Sequence, residues 1–264
     1  MQPLRFTSCM AQNQDAVAQA LVNHLATELD LAITFAIDQP WSERVADLSR
    51  DRLDFGWVCG LLYVRQKAAQ LPVTPLAAPV LPGRRYQNRP IYYSDIIVRQ
   101  DSPFQTFTDL RGATWAYNEP GSYSGYQIVR HHLAGLDERS GYFGAVVQST
   151  AHQRSLQMVL DGQVDGAAID STVLDVALRH DPAIRPQIRA VEVLGPSPIP
   201  LWIVSNHLPQ PTQDRLKHAL LSLHQTASGR RLLAQCGLLR FAAVTDQDYD
   251  FIRRVDQEAE GATL

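Results

Sequence analysis

The sequence predicts an α/β protein of two lobes, each a mostly parallel sheet flanked by helices, with a cleft between the lobes. Three observations predict it. Short strand-like runs alternate with segments of helical period over most of the chain. Two proline-rich stretches, 70–103 and 195–204, interrupt that alternation. An ungapped shift also superimposes "VADLSRDRLDFGWV" (45–58) on "LQMVLDGQVDGAAI" (156–169), so that one helix-turn-strand unit occurs in both halves.

The elements follow in order. "LRFTSC" reads as a strand, and "NQDAVAQALVNHLATEL" repeats apolar residues at Val17, Leu21 and Leu25, which is helical spacing. "AITFAI" is strand-like, "SERVADLSRDRL" gives a helix with Val45 and Leu48 inward, and "DFGWVCG" a short buried strand. Within the first proline-rich stretch one good strand stands out, "IYYSDIIVRQ". Then come strand "ATWAYN", helix "SGYQIVRHHLAGL", strand "YFGAVVQS", helix "AHQRSLQMVLDG", strand "QVDGAAI" and helix "DSTVLDVALRHD". The tail from "TQDRLKHALLSLHQT" is helical, with Leu216, Leu220 and Leu223 on one face. If both proline-rich runs cross between lobes, residues 1–92 plus 200–264 form the first lobe and 93–199 an inserted second lobe.

Composition narrows the function. The chain of 264 residues is 45% hydrophobic with a formal net charge of -3, and it has no basic stripe interleaved with aromatics, so a nucleic-acid partner is not expected. No apolar run reaches membrane-span length, and "MQPLRFTSCMAQN" lacks the features of a signal peptide. The expectation is therefore a cytoplasmic protein, or a periplasmic one whose export signal was removed. Cys9, Cys59 and Cys236 are odd in number and far apart, giving neither a disulfide framework nor a zinc site. His131 and His132 are adjacent and point about 100° apart on a helix, which suits solvated positions and not chelation. Neither a metal nor a cofactor is expected.

The richest segment is "NEPGSYSGYQ". Ser124 and Gln127 fit a capping box, in which each side chain satisfies a backbone N–H of the helix start. The same start, with Ser122, Tyr123, Ser124 and Gly125, offers N–H groups and hydroxyls to an anion, favoured by the helix dipole. No Walker lysine follows, and Tyr123 stands where a nucleophile elbow needs serine. Cap and anion site both remain open locally. Asp170-Ser171 lies where a parallel strand meets the next helix, so Asp170 suits an N-cap or a ligand contact. His152 opens the preceding helix with the same two readings. Trp41, Trp57, Tyr63, Tyr92 and Tyr93 suit the core or, beside strand ends, ligand walls.

"DLRGATWAYNEPGSYSGY" resembles a segment of the phosphate/phosphonate solute-binding proteins of ABC importers, within the type II periplasmic-binding-protein fold. "RLDFGWVCGLLYV", "YSDIIVRQDSP", "STAHQRSLQMVLDGQVDGAAIDSTVLD" and "DQDYDFIRRV" extend the likeness over nearly the whole chain. The resemblance implies a hinged trap without catalysis, closing on a small anionic ligand and delivering it to an ABC permease, with the chain acting as a monomer that does not enter the membrane. Ser122, Tyr123, Ser124 and Gly125 would be the anion cradle, Tyr93 and Trp41 the cleft walls, Gly60 a contact from the first lobe, and His152, Asp170 and Ser171 contacts from the second. Cys59-Gly60 replaces the family's frequent Gly-Pro. Gln153 stands where an acidic residue can hold an aminophosphonate amine, which leaves phosphate, phosphite, simple phosphonates or another small anion. An enzyme of the same fold, using His152 with Asp170 on a small carboxylated or phosphorylated metabolite, and a ligand-sensing subunit are the alternatives.

Overall fold

The computed structural model describes residues 2–264. Two compact units divide it: one runs to Ile91 and resumes over Pro198–Asp250, and the other comprises Tyr92–Ser197 and Phe251–Leu264.

The first unit opens with β1 (Leu4–Cys9), α1 (Asp15–Leu29), β2 (Ile33–Phe35), α2 (Trp41–Ser49), β3 (Phe55–Val58), α3 (Gly60–Ala68) and β4 (Val73–Val80). β1 pairs in parallel with β2 and with β3, placing Cys9 opposite Val58. α1 buries Ala18, Leu21, Val22 and Leu25, the i, i+3, i+4, i+7 face of an amphipathic helix. On the sheet, Phe6 lies 5.0 Å from the rings of Phe35, Phe55 and Trp202, and these contacts form the centre of this core.

α2 departs from expectation. It buries Arg44 and Leu48, while Val45 is only half-buried. The guanidinium forms a two-pronged pair with Asp15, at 2.8 and 2.9 Å, and donates to the carbonyls of Ser8 at 3.0 Å, Gln39 at 2.7 Å and Ile37. A planar fork with that many acceptors can occupy an interior position that hydrophobicity alone assigns to valine.

β4 is a strand within what the sequence presents as a proline-rich connector. It lies between two neighbours in its sheet. Pro75 sits opposite Ile203, where the pairing register shifts between Trp202 and Ile203, so an irregularity falls where the strand has no N–H to give.

The second unit contains β5 (Ile91–Arg99), β6 (Thr114–Tyr117), α4 (Ile128–Gly135), β7 (Ala145–Gln148), α5 (His152–Leu160), β8 (Gly166–Asp170), α6 (Ser171–His180) and β9 (Ile188–Pro198). Its sheet runs β7-β6-β8-β5-β9, with β6 parallel to β7 and β8, and β5 antiparallel to β8. Ile97, Ala116, Leu156, Val159, Ala167 and Ile169 meet in its core. β9 was not anticipated from the sequence.

The chain then supplies β10 (Leu201–Ser205), α7 (Gln210–Ser222), α8 (Ala227–Gln235), β11 (Arg240–Ala242) and α9 (Asp250–Glu258). β10 runs antiparallel to β3 and β4, giving the first sheet the order β11-β4-β10-β3-β1-β2. Although the sequence assigns all of 200–264 to the first lobe, the segment from Phe251 onward groups with the second unit. Arg130 donates to the carbonyls of Ala262 at 2.7 Å and Ala259 at 3.0 Å, and Gln127 reaches Asp256 at 2.9 Å. Those bonds hold the end of the chain to α4. Among the described residues no helix is long and apolar enough to cross a membrane.

Candidate functional site

The second unit brings most of the expected ligand residues together at the ends of β6 and β8. After β6 the chain turns so that Gln127 N–H reaches the Ser122 carbonyl at 3.0 Å, an i to i+5 bond that makes one wide π-type turn before α4. Ser122 caps this turn, its Oγ accepting Gly125 N–H at 3.1 Å. The capping box expected of Ser124 and Gln127 is therefore not formed. The wide turn carries Ser124 inward, and Gln127 is engaged with Asp256 instead.

Ser124 Oγ lies 3.1 Å from His152 Nε2 and 3.3 Å from Asp170 Oδ2. With the proton on His152 Nε2, the three groups form a donor chain from imidazole to hydroxyl to carboxylate, and Asp170 N–H faces His152 Nδ1 at 3.5 Å. All three side chains are buried. Burial pushes the His152 imidazole down to about 4, with the Ala168 carbonyl partly opposing. Burial also pushes the Asp170 carboxyl up to about 6, against hydrogen bonds from Thr172 and Ser124. At neutral pH the site thus holds an uncharged imidazole beside a carboxylate close to its protonation range.

The surrounding residues fix this group. Asp170 Oδ1 accepts Thr172 N–H at 2.8 Å, so Asp170 is the N-cap of α6 as well as a site residue. Ser94, on β5 and outside any motif of the sequence, donates its hydroxyl to the Ser124 carbonyl. Ser171 Oγ accepts Tyr93 N–H at 3.0 Å, joining α6 to β5. Tyr123 differs from expectation: its ring is buried near Tyr92, and its hydroxyl lies 3.0 Å from Ser197 Oγ, so only its backbone remains for the cradle. Asn118, also overlooked, packs its side chain beside Gly125 and His152. Its place directly after β6 was the available signal.

Two expected contacts lie in the first unit. Trp41 opens α2, is 40% exposed, and donates Nε1–H to the Cys9 carbonyl at 3.2 Å. Gly60 opens α3 immediately after β3 and Cys59. Both follow strands of the first sheet at their carboxyl ends, where open α/β sheets present ligand groups. Trp57, Tyr63 and Tyr92 are core residues. The Cys9 thiol is pushed up to about 12 by burial and stays protonated. His132 is not the solvated residue expected: it packs edge-on against Phe107 at 4.5 Å, and burial lowers its pKa.

Residues 8–249 match the family model described as the periplasmic substrate-binding protein of a phosphonate ABC transporter. The phosphonates-binding periplasmic protein of Escherichia coli (strain K12) is 24% identical over 175 residues, which cover 63% of this chain and 50% of that relative. The aligned stretch thus spans half the length of the relative. Among solved structures, PhnD1 from Prochlorococcus marinus (MIT 9301) in complex with methylphosphonate superimposes with a TM-score of 0.83 at 16% identity, covering 98% of each chain. A binding protein component of an ABC phosphonate transporter from Pseudomonas aeruginosa gives 0.82 at 17% identity, covering 98% of this chain and 87% of that one. These likenesses establish the two-lobe periplasmic-binding-protein fold. Because the family model matches all but the ends of the sequence, the chain belongs to the family of periplasmic substrate-binding proteins of phosphonate ABC transporters.

Proposed function

We propose that this protein captures a small oxyanion bearing one phosphonate- or phosphate-like group and passes it, unchanged, to the permease of an ABC importer, acting in the periplasm as a monomer. The observation that carries the reading is the Ser124 hydroxyl, held between the neutral imidazole of His152 and the Asp170 carboxylate at the start of a helix. The N–H groups of a first helical turn have no intrahelical acceptor, and with the Ser122 hydroxyl, and the Ser124 hydroxyl once it turns from Asp170 to the ligand, they supply donors to the anionic oxygens. Asp170 supplies the opposite function, an acceptor for the P–OH of a monoprotonated phosphonate. A fully deprotonated anion would instead set an oxygen against a carboxylate. Trp41 and Gly60 are the contacts proposed from the first lobe, and Tyr93 and Ser171 line the second.

A thermal-shift screen over methylphosphonate, phosphate, phosphite, sulfonates and small carboxylates tests this. A ligand at a hundredfold excess over its Kd adds about 2.7 kcal/mol of stability, so the cognate class stands out as a rise in Tm. Ser124→Ala is expected to weaken methylphosphonate binding roughly tenfold to hundredfold, the worth of one hydrogen bond to a charged group, and to do so in protein that is still fully folded at the temperature of measurement, although its unliganded Tm falls as His152 and Asp170 lose a buried partner. Unaltered affinity in that variant would remove Ser124 from the cradle. Recovery of chemically unchanged ligand after release separates capture from turnover.

A further inference from the structure

Asn118 follows β6 directly, and its carbonyl accepts Thr150 N–H at 2.9 Å, so its backbone is fixed. The residue is only 7% exposed, and Oδ1 is sealed with no hydrogen-bond partner among the described residues. Oδ1 lies against the backbone of Gly125. A Cβ added at Gly125 would lie 2.0 Å from Asn118 Oδ1, 2.9 Å from Asn118 Cγ and 2.9 Å from His152 Cε1. The amide oxygen therefore fills the space that a side chain at position 125 would need, beside the imidazole ring. This explains the glycine: alanine there collides with the amide and the ring together.

The same contacts fix which way the amide faces. A carbonyl oxygen against the Cα–H of Gly125 makes a weak favourable contact, whereas an NH2 group there would aim its hydrogens at carbon-bound hydrogens. Nδ2 consequently faces away from the Gly125 Cα. Unlike Oδ1, it is not among the sealed side-chain atoms that lack a partner. We propose that the Asn118 Nδ2–H2 group is a further donor to the anion held at Ser124, which makes Asn118 a ligand-contacting residue. The inference rests on the binding reading above. In a site whose histidine is neutral, a neutral amide donor adds affinity without adding a buried charge.

Asn118→Asp tests it, because that change keeps an oxygen against Gly125 and His152 and replaces the donor with an acceptor. By titration calorimetry at pH 7.5, at a temperature where both proteins are fully folded, methylphosphonate affinity is expected to fall roughly tenfold to hundredfold; the unliganded variant also melts lower at that pH, because a carboxylate replaces a buried neutral amide. Lowering the pH toward 5 is expected to narrow the affinity gap between variant and wild type, since a protonated carboxyl again carries a donor; in protein that is fully folded at both pH values, a purely structural role would not produce that recovery. Asn118→Ala, which removes oxygen and donor together, is expected to lose affinity without recovering it. Wild-type affinity in either variant, or a loss in Asn118→Asp that is unchanged at pH 5, overturns the proposal for Asn118. A wild-type protein that binds none of methylphosphonate, phosphate and phosphite overturns the binding reading itself.

Discussion

Replacing Arg44 with methionine is expected to lower the stability of the protein by about 3–5 kcal/mol, because the change strands a buried carboxylate. Asp15 is 5% exposed, and both of its carboxylate oxygens are taken by the Arg44 guanidinium. The carbonyls of Ser8, Gln39 and Ile37 lose a donor in the same step. Pairing Arg44→Met with Asp15→Leu is expected to restore much of the loss, since two apolar side chains leave no buried charge unmatched. Urea denaturation of the wild type, both single variants and the double variant measures the coupling. A single-variant loss below about 1 kcal/mol would place the pair with surface ion pairs of small net effect. The consequence extends to ligand capture, because Arg44 anchors the end of β1 through the Ser8 carbonyl and Trp41 holds the adjoining Cys9 carbonyl. A weakened clamp is therefore expected to loosen the wall proposed at Trp41.

The second large effect is hidden in the wild type and appears in two variants. His152 titrates at about 4, below its ordinary value of 6.5, so its contribution to stability is complete above pH 6.5 and is lost as pH falls toward 4. Asp170 titrates at about 6, above its ordinary 3.8, so its contribution is complete below pH 3.8 and is lost as pH rises through 6. Each shift corresponds to roughly 3 kcal/mol, and over this window the two slopes oppose one another. Asp170→Asn removes one of them. Relative to wild type, that variant is expected to lose roughly 3 kcal/mol between pH 6.5 and pH 4. His152→Gln is expected to do the reverse and gain stability on acidification. Denaturation of the unliganded proteins at intervals of one pH unit gives the curves, and variant curves parallel to wild type would refute the compensation.

Much of the architecture was legible because it rests on short-range regularities. The four-residue spacing of α1 and the run of strand, helix and strand through β3 follow from local apolar periodicity. What was missed depends on partners distant in sequence. Arg44 reads as a surface residue until Asp15 and the carbonyls that enclose it are known. β4 contains Pro75 and Pro79, and the register shift opposite Pro75 belongs to β10, far along the chain. In the site, the motif around Ser124 identified the location but not the local geometry. A capping box and a π-type turn use the same residues, and the choice between them depends on Asp256, His152 and Asp170, which draw Gln127 and Ser124 in different directions. Asn118 carried no motif, and its position after a strand became informative only with Gly125 beside it.

The attachment of α9 to the second unit bears on the order in which the protein can be completed during synthesis. Ribosomes add roughly 5–20 residues per second, so several seconds separate the emergence of Ser197 from that of Leu264. Throughout that interval the Arg130 guanidinium lacks the carbonyls of Ala259 and Ala262, and the buried face of Ile252 and Val255 has not yet arrived. The first unit meanwhile receives β10, which its sheet places between β3 and β4, early in that interval and β11, beside β4, only late in it. Neither unit can finish before the last quarter of the chain is made, so a nascent chain truncated before Pro198 leaves both without their closing elements. A fragment meant to isolate the second unit has to carry residues 251–264 joined back to 92–197, since the contiguous stretch alone omits the helix that covers α4.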